Sequence, residues 1–268
     1  MLSASVAAAV AGVANAAPPS SRCLFGCAAA SPVTNPATGT PVLRPEVLAV
    51  LPHDPSAFTQ GFELADGGLY EGTGLAGRSQ LRELDSVTGA VRRSVPLPGR
   101  LFGEGITVVG NRIWQLTWRD DVVLEWDRST FTLQRELPLS DEGWGLCHDG
   151  SRLVRSDGTD QLHFQDPTTF ADMGSVSVTL DGRPLTELNE LECVDGQVWA
   201  NVWQTDQIVS IDPATGHITA VVDASGLLDQ AQRGHADVLN GIAAVGDGEF
   251  LITGKLWPST FRVRFVPR

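Results

Sequence analysis

Short stretches of alternating apolar and polar residues recur along most of this chain, a pattern typical of half-buried β-strands. Five of these stretches start 40 to 50 residues apart, and each leads through a glycine-marked turn into a second strand. They lie at 60–64, 104–108, 144–148, 190–194 and 240–244. A repeat of this length that is built from strands predicts the blades of a β-propeller.

Each repeat continues beyond its second strand. Second strands such as 112–118 and 197–203 lead to third strands such as 122–126 and 207–211. In four repeats the third strand ends in an Asp-x-x-Thr motif, whose carboxylate can accept hydrogen bonds from the backbone of the turn. These motifs begin at Asp85, Asp127, Asp166 and Asp212. A fourth strand then completes the repeat, so we predict blades of four antiparallel strands.

The fifth repeat is one strand short. After Asn240 the chain has room for three strands, the last at 260–266, while strand 47–51 has no other partner. Pairing these two segments would close the ring and remove an open sheet edge. We therefore predict an all-β fold, a five-bladed β-propeller closed by an N-terminal strand in the last blade. Residues 225–237 interrupt the strands, and their apolar spacing predicts a short helix.

The N-terminal region differs in composition from the repeats. Residues 1–17 are rich in Ala and Val and end in small residues, which is typical of a secretory signal peptide. Residues 18–42 are rich in Pro, Ser and Thr and predict a linker, which leaves 43–268 for the propeller. LFGC at 24–27 resembles a bacterial lipidation site, but PPSSR at 18–22 separates it from the apolar run and argues against lipidation. We expect an exported protein, periplasmic or secreted.

The negative net charge of the chain limits the kinds of partner that it can bind. The formal net charge is −13 and the sequence pI is about 4.7, so a surface for nucleic acid or an anionic membrane would oppose the overall field. No stretch after the leader is apolar for long enough to span a bilayer. We therefore expect neither partner, and we expect a monomer because a single propeller domain is usually sufficient alone.

Four cysteines divide into two groups. Cys147 and Cys193 are assigned to the same place in consecutive repeats, where inner strands of adjacent blades face each other. In an oxidising compartment they could form a disulfide, and two buried free thiols are the alternative. Cys23 and Cys27 belong to the predicted linker and are either unpaired or paired with each other.

The innermost strands of a propeller line its central channel, so the first residue of each repeat is of interest. These residues form an unusually polar set for strand starts: Gln60, Glu104, Trp144, Glu190 and Asn240. Six of the seven tryptophans lie on or beside first and second strands, and we expect about half of the tryptophans to fill the spaces between blades. Trp118 and Trp203 end matching second strands and are predicted to lie at the rim of a pocket.

Lys255 is the one lysine among 19 basic residues, the others being arginine. It follows the second strand of the fifth repeat, at the place that matches Trp118 and Trp203. A specific need for an ammonium group would explain it, and a chance surface lysine is the alternative.

Several enzyme classes are excluded by their missing motifs. The sequence has no Gly-x-Ser-x-Gly elbow, no phosphate-binding glycine loop and no dinucleotide fingerprint. Its five histidines are scattered without metal-ligand spacing. What remains is a metal-independent site built on a carboxylate.

The repeats carry segments that resemble the plant-type glutaminyl cyclases, or glutaminyl-peptide cyclotransferases, a family with bacterial members. The resemblance runs from about 53 to 265. Its segments are FTQG at 58–61, YEGTG at 70–74, LFGEGIT at 101–107, WQLTW at 114–118, EGWG at 142–145, LNELE at 188–192, WANVW at 199–203 and TGK at 253–255. The Pro-rich leader and the pair Cys147 and Cys193 depart from the family pattern.

This resemblance implies a five-bladed propeller that converts an N-terminal glutamine of peptides or proteins to pyroglutamate and releases ammonia, with no cofactor required for catalysis. It assigns Glu104 as the catalytic acid. The substrate-binding residues that it implies are Phe58, Gln60, Phe102, Trp118, Trp144, Asn189, Trp203 and Lys255. Glu190 and Glu71 are alternative carboxylates whose simpler explanation is hydrogen bonding to strand ends.

These residue types suit the chemistry. A free α-amine with a pKa of about 7.7–8.0 must lose a proton before it attacks the γ-carboxamide, and the departing nitrogen must gain one. A recessed Glu104 would have a raised pKa, as a proton shuttle needs. Gln60, Asn189 or an indole N–H could hold the oxyanion, and Lys255 could orient the carboxamide or keep Glu104 ionised.

Two other functions are open at this point. A propeller hydrolase of the lactonase type would bind a divalent cation, to which Glu104, Glu190 and Asn240 could contribute ligands. A non-catalytic module would recognise a peptide or glycan end by stacking alone. Activity sensitive to a chelator would favour the hydrolase, and binding without ammonia release would favour the module.

Overall fold

The computed structural model describes residues 39–268, and within this range the chain consists of strands and turns without a helix. The predicted signal peptide, the LFGC motif, Cys23, Cys27 and most of the predicted linker lie outside the described residues. No segment from 39 to 268 is therefore a membrane-spanning helix.

Strands β1 to β13 make up the first half of the described chain. Their bounds are β1 Val42–Pro52, β2 Thr59–Ala65, β3 Gly68–Thr73, β4 Gln80–Leu84, β5 Val91–Pro96, β6 Gly103–Val109, β7 Arg112–Thr117, β8 Val122–Asp127, β9 Thr132–Pro138, β10 Leu146–His148, β11 Leu153–Arg155, β12 Gln161–Gln165 and β13 Asp172–Ser177.

Strands β14 to β22 make up the second half. Their bounds are β14 Thr179–Leu180, β15 Arg183–Pro184, β16 Leu188–Val194, β17 Gln197–Val202, β18 Gln207–Ile211, β19 Ile218–Asp223, β20 Leu239–Gly246, β21 Glu249–Gly254 and β22 Ser259–Pro267.

The sheets follow the sequence repeats. Strands β2–β5, β6–β9 and β10–β13 each form a four-stranded antiparallel sheet in sequential order, and we call these units 1, 2 and 3. Strands β16–β19 are unit 4, and β20–β22 with β1 are unit 5; these two join in one eight-stranded sheet. Strands β14 and β15 form a small hairpin. The chain thus has an all-β, propeller-like fold.

Strand β1 closes unit 5, as the sequence predicted. Val47 pairs with Val263, and Leu51 pairs with Thr260 in antiparallel register. The start of β1 also runs parallel to β19, where Val42 pairs with Val221. This short parallel contact is what merges units 4 and 5 into one sheet, and it leaves neither edge of β1 open there.

The predicted Asp-x-x-Thr turns are present at the ends of the third strands. Thr88, Thr130 and Thr169 each donate a backbone N–H to the Asp three residues earlier at 2.8–2.9 Å. In unit 4, Asp212 accepts from the backbone N–H of Ala214 and from the Thr215 hydroxyl. The turn chemistry read from the sequence is therefore confirmed.

The apolar core lies between the units. Each of five buried clusters contains residues of two units: 1 with 2, 2 with 3, 3 with 4, 4 with 5, and 5 with 1. In the last of these, Phe62 and Leu69 of unit 1 pack against Leu251 of unit 5. Burial of apolar surface between neighbours therefore holds the first unit against the last.

Strand register corrects the alignment of unit 4 by one residue. Thr117 pairs with Gly103, and Val202 pairs with Leu188, so Glu104 is matched by Asn189 and not by Glu190. Glu190 takes the place that glycines hold in the other units: Gly61, Gly105, Gly145 and Gly241. The sequence alignment matched one glutamate with another, whereas backbone pairing decides which side each side chain faces.

The same shift applies to the cysteines. Cys147 follows Leu146 directly, whereas Cys193 lies two residues after the matching Leu191, so their predicted equivalence is wrong. They are nevertheless joined by a disulfide between β10 and β16, with Cα atoms 5.4 Å apart. The cross-link ties unit 3 to unit 4.

The predicted helix at 225–237 is wrong. The segment forms separate turns, in which Leu227 donates its N–H to Ala224 and Gln232 donates to Asp229. Gly226 has a φ of +81°, which a right-handed helix cannot contain. Leu228 is buried between units 4 and 5, so its apolar character reflects tertiary packing and not a helical face.

Candidate active site

A cavity of about 400 Å³ opens where the inner strands begin. All nine residues predicted for the site line it, and three others do so as well. The twelve are Phe58, Gln60, Phe102, Glu104, Trp118, Trp144, Asn189, Trp203, Gln204, Asp237, Val238 and Lys255. In the corrected register, four of these hold matching places at the start of units 1 to 4: Gln60, Glu104, Trp144 and Asn189.

Glu104 is 4% exposed and is oriented by a chain of amides. Gln60 Nε2 donates to Glu104 Oε1 at 2.9 Å. Asn240 Nδ2 in turn donates to the Thr59 carbonyl at 3.0 Å and to Gln60 Oε1 at 3.4 Å. Asn240, the last of the five polar residues that start the repeats, therefore lies behind the pocket. Its amide fixes which atom of Gln60 faces the Glu104 carboxylate.

Lys255 is also 4% exposed and faces the same cavity. Its backbone is held by Val238 and Asp237, and its Nζ lies 5.0 Å from the ring centroid of Phe58. A cation near an aromatic face is stabilised by the ring quadrupole. The alternative that Lys255 is a chance surface lysine is therefore wrong.

Burial favours the neutral forms of both Glu104 and Lys255 and shifts their pKa values accordingly. Desolvation raises the pKa of Glu104 well above its usual range, while the positive charge of Lys255 opposes the shift and Glu142 adds to it. Desolvation also lowers the pKa of Lys255, against the charges of Glu104 and Asp237. Burial therefore favours the protonated form of the Glu104 carboxyl, and the Lys255 charge favours its ionised form.

Aromatic rings form the walls of the cavity. Phe58 contacts Phe102 edge to face, and Phe102 contacts Trp118 with centroids 5.5 Å apart. Trp144 meets Trp203 edge to face at 5.4 Å. A flat, apolar and electron-rich wall suits a short side chain that ends in an amide and carries a nearby amine.

Glycines make room for two of these rings. At the places that match Trp118 and Trp203, unit 1 has Gly74 and unit 3 has Gly158. A Cβ at Gly74 would lie 2.6 Å from the Phe102 ring, and a Cβ at Gly158 would lie 2.6 Å from the Trp144 ring. Small and large residues therefore alternate at this place in units 1 to 4, and the two glycines leave room for the rings of Phe102 and Trp144.

Residues 20–265 match the family described as glutamine cyclotransferase. A glutaminyl-peptide cyclotransferase of Arabidopsis thaliana is 41% identical, over 82% of this chain and 70% of its own. The chain belongs to the glutamine cyclotransferase family. The crystal structure of Myxococcus xanthus glutaminyl cyclase matches with a TM-score of 0.79 and 38% identity, over 85% of this chain and 99% of that one. The resemblance drawn from the motifs is confirmed.

The two alternative carboxylates of this cyclotransferase family member have structural partners. Glu190 accepts the backbone N–H of Phe62 at 3.1 Å and that of Ile242 at 2.7 Å, and so bridges units 4, 1 and 5. Glu71 accepts from Thr59 and contacts His53. Neither lines the cavity: Glu190 bonds the backbone of two inner strands as its simpler explanation expected, whereas the partners of Glu71 are side chains.

Asn189 has a buried polar atom in the pocket that is left unsatisfied. It is 3% exposed, and its Oδ1 atom has no hydrogen-bond partner among the described residues. An unpaired buried polar atom carries a free-energy cost that a ligand group can relieve. The amide of Asn189 is therefore available to a bound molecule.

The sequence missed four residues of the site. Gln204, Asp237 and Val238 line the cavity. Glu142 accepts hydrogen bonds from two of its tryptophans. Glu142 lies within the family motif EGWG, which was the available signal, whereas Asp237 ends the segment that was predicted as a helix and Val238 follows it. Among residues 39–268 no cluster of three or more His, Cys, Asp or Glu side chains is suited to hold a metal.

Proposed function

We propose that this protein converts the N-terminal glutamine of peptides or proteins to pyroglutamate with release of ammonia, and that Glu104 is the proton shuttle. The observation that carries the assignment of Glu104 is its position: a buried carboxyl that is oriented by Gln60, faces Lys255 and lines an aromatic cavity in a member of this family.

The reaction needs a single carboxyl group. The neutral α-amine of glutamine attacks its own γ-carbonyl carbon, forms the ring C–N bond and gives one proton to the Glu104 carboxylate. The tetrahedral intermediate then breaks its bond to the carboxamide nitrogen, which takes that proton and leaves as ammonia. Glu104 returns to its starting state, and the peptide ends in pyroglutamate.

The hydrogen-bonding groups that are free in the pocket can be matched to the oxyanion and to the substrate. The indole N–H groups of Trp118 and Trp144 already bond Glu142, and Gln60 is committed to Glu104. Lys255 Nζ, the Asn189 amide and the Trp203 indole N–H make no hydrogen bond to other described residues, and Lys255 is the one of the three that can carry a positive charge. We assign Lys255 to the developing oxygen charge and Asn189 Oδ1 to a substrate N–H.

The proposal also covers the number of blades and the cellular compartment. Five clusters that link each unit to the next, and unit 5 to unit 1, support a closed ring of five blades, with units 4 and 5 as separate blades. The Cys147–Cys193 disulfide supports an oxidising compartment and hence export. We propose a monomer that needs no metal or other cofactor for catalysis.

Ammonia release from a glutamine-initiated dipeptide tests this function. It is measured with and without a chelator, for the wild type and for Glu104→Gln. We expect release that resists the chelator and is lost in the variant. Loss of release with the chelator would favour a metal-dependent hydrolase, and no release by folded wild-type protein would leave a binding propeller as the better explanation.

A further inference from the structure

Glu142 lies outside the strands, between β9 and β10, and is shared by two walls of the pocket. Its Oε2 atom accepts the indole N–H of Trp118 at 2.8 Å and that of Trp144 at 3.0 Å. Its Oε1 atom accepts from Arg119 Nε at 2.6 Å. One carboxylate therefore ties together a tryptophan of unit 2 and a tryptophan that begins unit 3.

These two hydrogen bonds link two groups of aromatic rings that do not otherwise contact each other. Ring contacts run from Phe58 through Phe102 to Trp118, and separately from Trp144 to Trp203. Among the described residues no ring contact joins Trp118 to Trp144. We propose that Glu142 is a positioning residue that holds the Trp118 and Trp144 indoles in the orientation needed to pack on the substrate.

Arg119 completes the arrangement from outside. Its guanidinium lies 4.2 Å from the Trp118 ring centroid and also pairs with Glu142. Arg119 therefore contacts the face of the Trp118 indole, while Glu142 bonds the N–H at its edge. The Glu142 side chain is 32% exposed and that of Arg119 is 65% exposed. The ion pair alone is therefore of small value, whereas the charged bonds to the two indoles are strong and directional.

The backbone of Glu142 is anchored without its side chain. Gly143 donates its N–H to the Thr117 carbonyl at 3.2 Å, and Arg155 donates to the Glu142 carbonyl at 2.7 Å. Trp144 donates its own N–H to Ser156 at 3.1 Å. A change of the carboxylate should therefore release the indoles while the loop keeps its place.

The consequence for turnover rests on the proposed function. A wall that packs on the substrate before and during reaction contributes mainly to binding, so its loss should raise KM more than it lowers kcat. Misplacement of a positioning group by about 1 Å costs about 10²-fold in rate. We therefore expect Glu142→Ala to lower kcat/KM by about 10- to 100-fold, mostly through KM.

Three variants separate positioning from general stability. Glu142→Ala removes the acceptor, and Glu142→Gln keeps a neutral acceptor and should recover part of kcat/KM. Glu249→Ala is the matched control, because that carboxylate also pairs with arginines, at 13% exposure, in β21 away from the pocket. It should leave kcat and KM unchanged even if its unfolding midpoint falls.

Indole N–H signals give a readout that does not depend on activity. In a ¹H–¹⁵N correlation spectrum assigned with single Trp→Phe variants, Glu142→Ala should move the signals of Trp118 and Trp144. The signals of Trp114 and Trp257, which donate to the carbonyls of Pro167 and Asp237, should stay in place.

Unmoved Trp118 and Trp144 signals would overturn the inference, whether or not the protein is active. An active wild type whose kcat/KM is unchanged in Glu142→Ala would also overturn it. An inactive wild type would instead overturn the proposed function, and with it the substrate role of the two indoles.

Discussion

Glu104 and Glu190 are one position apart in matching inner strands, and the chain treats them in opposite ways. Both are buried, at 4% and 1% exposure, and desolvation raises the pKa of both well above the usual range. Glu104 has one side-chain donor and faces an open cavity. Glu190 has two backbone donors, one from unit 1 and one from unit 5, and does not line the cavity.

This difference shows that burial and a raised pKa do not identify a catalytic carboxyl by themselves. Access to a ligand and the kind of donor decide the role. Backbone N–H groups that have no strand partner make Glu190 a link between inner strands. A single side-chain amide and an opposing lysine leave Glu104 able to gain and lose a proton.

The largest effect that we expect is on activity, which should fall in the Glu104 variant and not in the Glu190 variant. Glu104→Gln keeps the acceptor for Gln60 but cannot carry the proton, so we expect kcat to fall by about 10²- to 10⁴-fold. Glu190→Gln should retain most of the activity of the folded protein. Steady-state ammonia release measures both, and equal losses in the two variants would contradict the distinction.

The two variants should rank the other way in stability, with Glu190→Gln the more destabilised. In Glu190→Gln an amide nitrogen faces a buried backbone N–H, so we expect a loss of about 1–3 kcal/mol in the free energy of unfolding. Glu104→Gln should change it much less, because its one hydrogen bond survives. Urea unfolding followed by tryptophan fluorescence measures the difference, and a Glu104 variant that is the less stable of the two would refute it.

Charge around Glu104 should move its pH profile in two directions. Lys255 lowers the pKa of Glu104 and Glu142 raises it. Lys255→Met should therefore shift the acidic limb of kcat/KM to higher pH, and Glu142→Gln should shift it to lower pH. The same dipeptide is used throughout, so its amine titrates alike in all profiles, and shifts of the same sign would contradict the assignment.

The smallest effect concerns stability and pH. Burial raises the pKa of Glu63 from 4.5 to about 7, against the Val108 N–H that it accepts. The native state then holds a proton that the unfolded chain has released, so the free energy of unfolding should fall as pH rises from about 4.5 to 7. Glu63→Gln cannot ionise and should flatten this slope in urea unfolding at several pH values. An unchanged slope would contradict it.

Much of the site could be predicted because family motifs carried it. The nine residues inferred from them all line one cavity, including Lys255, whose isolation in the composition was itself a signal. Glu142 escaped because its role depends on two indoles from different units. Periodicity on its own could not separate Glu104 from Glu190, since both are polar residues at the start of an inner strand.

The sequence by itself determined the repeat, the turns and the closing strand, because alternation, Asp-x-x-Thr capping and chain order are local or sequential properties. Only the tertiary structure decided the one-residue register of unit 4, the pairing of Cys147 with Cys193 and the bridge that Glu142 makes. These depend on which backbone groups meet between distant segments. A slip of one residue changes the face of every side chain in a strand while it leaves the local pattern almost the same.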